Sequence, residues 1–263
     1  MTYLFMDRDL GRPKDRIVRE WIRRDLRKAV DDLVMHRLDI SALREHSTIE
    51  GLHHLDDALA RGRGVLVVSG HFHANRLSKF LLRRSGYSIV SVRNPVPYSA
   101  GLGRLGNWFV APAYGRFLSR IVEDEVPATP GKVGMLVLRK LRENRIVNMH
   151  IDVRLATECI PMPFFGVERL FPVGFLRLAE TTGAPLVRML CTGDSSGLHI
   201  RFEEPVCFSG RSGPDELQAR MRPFLERLEA WLTEYPEEWE IWSRGLGRRL
   251  GLRKNREKNE RNT

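Results

Sequence analysis

The run Val65-Leu-Val-Val-Ser69 limits this chain more than any other stretch, because it is apolar and β-branched without interruption. A strand with one wet face alternates apolar and polar residues, whereas an unbroken run of this kind belongs in the middle of a parallel sheet covered on both sides. Gly62 and Gly64 stop a helical pattern just before it (Leu52, Leu55 and Leu59 on one face), and Gly70 and His71 fall at its carboxyl end.

The segments that follow alternate in type. Ala74, Leu77, Phe80 and Leu81 mark a helix running to Gly86, then Ser88 to Val92 reads as a strand. A helix over Val133 to Arg142 leads into the strand Arg-Ile-Val-Asn-Met, which delivers His150 and Asp152. A helix from Val173 to Thr182 precedes Pro-Leu-Val-Arg-Met-Leu, a further strand begins at Leu198, and Pro214 to Thr233 is helical. At the other end, Ile17, Trp21, Leu26, Val30 and Leu33 form one apolar stripe between Pro13 and Met35. The order predicts an α/β fold: one domain with a mixed, mostly parallel sheet covered by helices, over residues 1–245, with ligands beyond the carboxyl ends of the strands. Residues 246–263 read as a basic C-terminal helix or tail.

The chain has 263 residues, enough to bury a core without disulfides or structural metal, and a net charge of +10. That charge points to an anionic partner: phospholipid headgroups, nucleic acid or an acidic carrier protein. No zinc-finger, RNP-like or helix-turn-helix pattern accompanies it, so nucleic acid is not the expected partner. Cys159, Cys191 and Cys207 have no CxxC spacing, which suits a reducing compartment. No run approaches the roughly 20 apolar residues of a membrane-crossing helix, and the first residues lack a signal peptide's apolar core. A cytoplasmic protein is expected.

His71 is the strongest single candidate for chemistry, since a histidine between a buried strand and a helix N-terminus stands at the rim where substrates bind. The helix dipole disfavours imidazolium there and helps keep the ring a base. His73 is the competing base, and a plain turn histidine the bland alternative. The pair His71-Phe-His73 with Asp152 also permits a reading as ligands of a metal-dependent hydrolase, although the chain offers few further ligands; no metal is expected.

The segment Gly-Arg-Gly-Val-Leu-Val-Val-Ser-Gly-His-Phe-His resembles the first block of the lysophospholipid acyltransferase superfamily, in its bacterial branch related to lipid A (lauroyl or myristoyl) and mannoside acyltransferases. Later blocks agree in order: the strand ending in Asp152, the Phe164-Phe165-Gly166 turn, the Gly183-Ala-Pro185 succession, and Pro236-x-x-Trp239. The resemblance implies a glycerolipid-acyltransferase-like fold in which His71 takes the proton of an acceptor hydroxyl. The donor would be acyl-carrier protein or acyl-CoA, used as substrate with no cofactor. The acceptor would be an anionic lipid or glycolipid, at the inner (cytoplasmic) face of a membrane, with the protein bound peripherally through basic and apolar patches. Backbone amides near Gly70 or the Phe165-Gly166 turn are candidates for the oxyanion, and Arg93, Arg154 and Arg169 for substrate phosphate.

One departure from the family pattern bears on the chemistry. The family's acid, five positions after the histidine, is here Arg76. A guanidinium cannot orient an imidazole or stabilise imidazolium, and loss of the carboxylate in a serine-protease triad lowers turnover about 10⁴-fold. Asp152 is the expected substitute, because strand periodicity puts it on the same face as His150. The run Glu123 to Glu125 is a weaker source. A homologue that kept the fold and lost its chemistry is the remaining alternative.

Overall fold

Parallel pairing draws the apolar run into the centre of a seven-stranded sheet. The structure is a computed structural model that describes residues 11–93, 108, 124–129, 131–152 and 158–242. Strand β1 (Ser47–Glu50) and the central β2 (Val65–Ser69) are followed by β3 (Ile89–Arg93), β4 (Asp124–Pro127) and β5 (Ile146–His150). After the hairpin of β6 (Cys159–Phe164) and β7 (Val167–Pro172) come β8 (Leu186–Gly193) and β9 (Leu198–Phe202). The main sheet runs β1-β9-β8-β2-β5-β3-β4, and β6-β7 forms a separate two-stranded sheet. In the main sheet β8 and β9 pair antiparallel and the other neighbours pair parallel. Every residue of β2 is buried, as a strand covered on both faces requires. Gly64, at φ +66°, lets the chain enter β2 hard against Leu141, whose Cα would stand 2.7 Å from any Cβ there.

The helices are α1 (Lys14–Val34), α2 (Ile40–Glu45), α3 (Leu52–Ala60), α4 (Asn75–Arg84), α5 (Val133–Arg142), α6 (Gly174–Thr182) and α7 (Pro214–Glu234). Two 3-10 turns, Pro236–Glu238 and Glu240–Trp242, form a strap after α7. Helix α4 buries Phe80, Leu81 and Leu82, and α7 buries Leu217, Met221, Phe224, Leu225, Leu228, Trp231 and Leu232. The α/β class expected from sequence, a mostly parallel sheet flanked by helices, is what the chain adopts.

Three features differ from the sequence reading. The apolar residues of α1 divide between two faces: Ile17 is buried and Trp21 half-buried, whereas Ile22, Leu26, Val30 and Val34 are exposed. Strands β1 and β4 are added at the sheet edges, each of four residues and too short to show a period. Pro127 at the end of β4 suits an edge strand, which can spare an N–H. The Phe165-Gly166 turn closes a hairpin, with φ +51° and +74°. The tail from 246 onward, including the domain boundary at 245, lies outside the described residues.

Candidate active site

Strand register assembles the site. Ser69 and His150 are partners across β2 and β5, so both chains leave the sheet at the same level, and the residues just beyond meet. Gly70 admits no side chain, because a Cβ would lie 2.9 Å from Leu228 and 3.2 Å from the ring of Phe72. With that corner filled, the Asp152 carboxylate folds back onto His71.

Asp152 Oδ1 lies 2.6 Å from His71 Nδ1, and Oδ2 accepts the backbone N–H of His71 at 2.7 Å and the indole N–H of Trp239 at 2.8 Å. The carboxylate is 2% exposed. Burial by itself would raise its pKa, but the neighbouring His71 ring and these donors more than offset that and hold it below the usual carboxylate range. Asp152 is therefore ionised at neutral pH. It selects the His71 tautomer protonated at Nδ1, which leaves the lone pair on Nε2. The His71 side chain keeps 18% of its exposure.

His150 stacks on His71 with ring centroids 4.0 Å apart and 33° between planes. Burial, followed by the charges of His71 and Lys79, pushes its pKa well below normal, so the ring beside the dyad is neutral. Its Nδ1 is 3.2 Å from the Gly70 carbonyl, which also accepts from Asn75 Nδ2 at 2.8 Å. Lys79, one turn on from Asn75, donates to Ser91 Oγ at 3.2 Å and is pushed down to about 8 by burial and then by Arg76. A neutral second histidine adds no charge against the imidazolium that a base must become, whereas Lys79, at about 8, stays largely cationic at neutral pH.

Arg76 turns away from this cluster and pairs with Asp32 of α1. His73 turns away too: its buried ring meets Trp21 edge-on at 5.5 Å, with Nε2 3.5 Å from Asp25, and burial lowers its pKa. His71 Nδ1 and His73 Nε2 thus face different carboxylates, Asp152 at 2.6 Å and Asp25 at 3.5 Å, an arrangement unlike a shared HxH metal pair and one that gives His71 the closer carboxylate. Among the described residues no group of three or more His, Cys, Asp or Glu side chains could hold a metal ion. Glu125 is engaged with Arg93 at 2.7 Å, so that pair neither supplies an acid to His71 nor leaves Arg93 without a counter-charge. The backbone N–H of Phe165 donates to the Glu229 carboxylate, so this amide is already occupied as an oxyanion donor. Gly166 is exposed beside it, Arg169 on β7 has a buried Nε with no hydrogen-bond partner, and burial lowers the Arg169 pKa. Arg154 lies outside the described residues.

Sequence reasoning gave no role to His150, Asn75, Glu240 or Trp239. The strap carries the last two across the loop 70–74 that holds His71. The Glu240 N–H donates to the His71 carbonyl at 2.7 Å, the His73 N–H donates to the Glu238 carbonyl at 2.9 Å, and Phe72 bridges Trp239. The Pro236-x-x-Trp239 motif was the one available signal for it.

The chain is similar to known proteins in three ways. A model of the bacterial lipid A biosynthesis acyltransferase family matches residues 14–245. Phosphatidylinositol mannoside acyltransferases of two Mycobacterium tuberculosis strains, CDC 1551 / Oshkosh and H37Rv, are each 24% identical over 200 residues, or 73% of this chain. The match spans 58% of the length of those relatives. The crystal structure of the 1-acyl-sn-glycerophosphate (LPA) acyltransferase PlsC from Thermotoga maritima covers 81% of this chain and 96% of its own, at 16% identity and a TM-score of 0.38.

Proposed function

The chain belongs to the bacterial lipid A biosynthesis acyltransferase family, and from that membership we propose that it moves a fatty acyl group from a thioester, acyl-carrier protein or acyl-CoA, to a hydroxyl of a lipid or glycolipid at a membrane surface. In this reaction His71 Nε2 takes the hydroxyl proton while the oxygen attacks the thioester carbonyl. The tetrahedral oxyanion collapses, the C–S bond breaks, and the leaving thiolate takes the proton from the imidazolium. Asp152 holds the ring and offsets the positive charge that forms on it. The reaction needs no prosthetic group, because the thioester already activates the acyl carbon.

The observation that carries this reading is the 2.6 Å contact between His71 Nδ1 and a buried, ionised Asp152. Base assistance of this kind is worth about 10²- to 10⁴-fold in rate. Arg169, with an unpartnered Nε, is the better candidate of the two described arginines for substrate phosphate, since Arg93 is paired with Glu125.

Action at a membrane draws support from α1. Its outer face presents Ile22, Leu26, Val30 and Val34 in a row at four-residue spacing, with Leu26 63% exposed. Arg19, Arg23 and Arg27 run alongside it, all at least half-exposed. An apolar stripe edged by arginine is the pattern of a helix lying in an anionic lipid interface. No described helix is long and apolar enough to cross a membrane. We place the protein peripherally on the cytoplasmic face.

Purified protein given labelled acyl-CoA or acyl-carrier protein with a bacterial lipid extract should form a labelled lipid ester, and His71→Ala should abolish it. Transfer that persists in His71→Ala would refute the base assignment. A wild-type protein that forms no ester from either donor would favour the alternative that the chemistry has been lost.

A further inference from the structure

Asp152 is itself held from the far side. Oδ1 faces His71 Nδ1, and the other oxygen carries two donors, the backbone N–H of His71 and the indole N–H of Trp239, from a residue 87 positions away. Trp239 is 2% exposed and its ring packs on Phe164. Its backbone carbonyl accepts the Trp21 indole N–H at 3.0 Å, so the strap is fastened to α1 as well as to the catalytic loop. Packing alone accounts for an aromatic ring here, and a phenylalanine would serve it. It does not account for the N–H, which is aimed at the one buried carboxylate that touches the base.

Indole is a donor only. It cannot compete with Asp152 for the proton on His71, and it favours the ionised carboxylate over the neutral acid. Two donors on Oδ2 also resist rotation of the carboxylate about its own axis, which would take Oδ1 off the line to Nδ1. We propose that Trp239 is a positioning residue for acyl transfer, its indole N–H fixing Asp152 in the orientation that holds His71. The proposal rests on His71 and Asp152 acting together as above, and it extends their machinery to the closing segment of the chain.

The test removes the N–H and keeps the ring. Trp239→Phe does so approximately. Genetic incorporation of benzothienylalanine at 239, a sulfur isostere of tryptophan without the N–H, does so at nearly constant volume and covers the case of a Phe variant that fails to fold. Loss of one hydrogen bond to a charged group predicts a fall in kcat of about ten- to a hundredfold with KM little changed. A second readout needs no substrate: the His71 Nδ1 proton in its short bond should resonate far downfield of the amides in proton NMR, absent in His71→Ala and Asp152→Asn. That resonance should shift or broaden when the indole N–H is removed. An unmoved resonance in the isostere overturns the proposal, whatever the rate does, as does unchanged kcat in an isostere-containing protein with full transfer activity. Failure of the acyl-transfer reading would appear separately, as transfer that is absent in wild type or indifferent to His71→Ala.

Discussion

A permanent cation at the position where the resemblance implies an acid would cripple an imidazole base if its guanidinium stood beside the ring. Arg76 instead leaves α4 toward α1 and pairs with Asp32, both side chains mostly buried. A carboxylate, Asp152, reaches His71 from the bend just beyond β5. Asp152 was legible because strand periodicity tied it to His150 and the register of β2 with β5 does the rest; Trp239 was not, because no local pattern reports a contact made by a distant turn. Arg76→Gln should therefore lower stability by about 3 kcal/mol, the scale of stranding one member of a buried pair, and leave kcat within about threefold. Thermal melts and steady-state rates on the same preparation check both halves. Introducing the acid of the family pattern by Arg76→Glu should give no gain in rate, since it sets a second carboxylate against Asp32, and a faster enzyme would show that this helix position can serve the base.

Among elements, the strap and α1 are the ones whose roles were least visible in sequence. The helices and central strands declared themselves through period and composition, whereas β1 and β4 are edge pairings of four residues that only their neighbours define. The strap is bound to α1 by ions: Arg24 bonds Glu238, and Lys28 lies 3.3 Å from Glu240. Burial lifts Glu238 to about 7, against the pull of Arg24 and the Gly193 N–H. A carboxyl raised in the folded state adds stability that is complete below its unfolded pKa and disappears as pH rises through the folded one. The melting temperature of wild type relative to Glu238→Gln should accordingly fall as pH rises from about 4.5 to about 7. A difference that stays constant with pH would mean that Glu238 is ionised throughout. In the core, Leu66→Ala on β2 should cost about 2–5 kcal/mol, read from denaturant unfolding, because its side chain is wholly buried on a strand covered on both faces.

At the scale of the whole molecule, the sheet presents its dyad at the carboxyl rim and the N-terminal helix presents an apolar, arginine-edged face outward. A net charge of +10 and that face together predict reversible binding to anionic vesicles that weakens as salt rises. Leu26→Glu should lower vesicle binding in co-sedimentation by about tenfold and spare the rate on a detergent-dispersed acceptor, and binding equal to wild type would remove α1 from the interface. The charge was read from composition, but the direction in which α1 turns Leu26 was not, since both faces of that helix carry apolar residues and only packing decides between them. The central claim is that Asp152, just beyond β5, does for His71 what an acid at position 76 would do in the family pattern that the sequence resembles. The direct measurement is kcat for acyl transfer by Asp152→Asn, with folding checked by its melt: a loss of about 10³- to 10⁴-fold is expected, and a rate within tenfold of wild type would show that His71 works without this carboxylate.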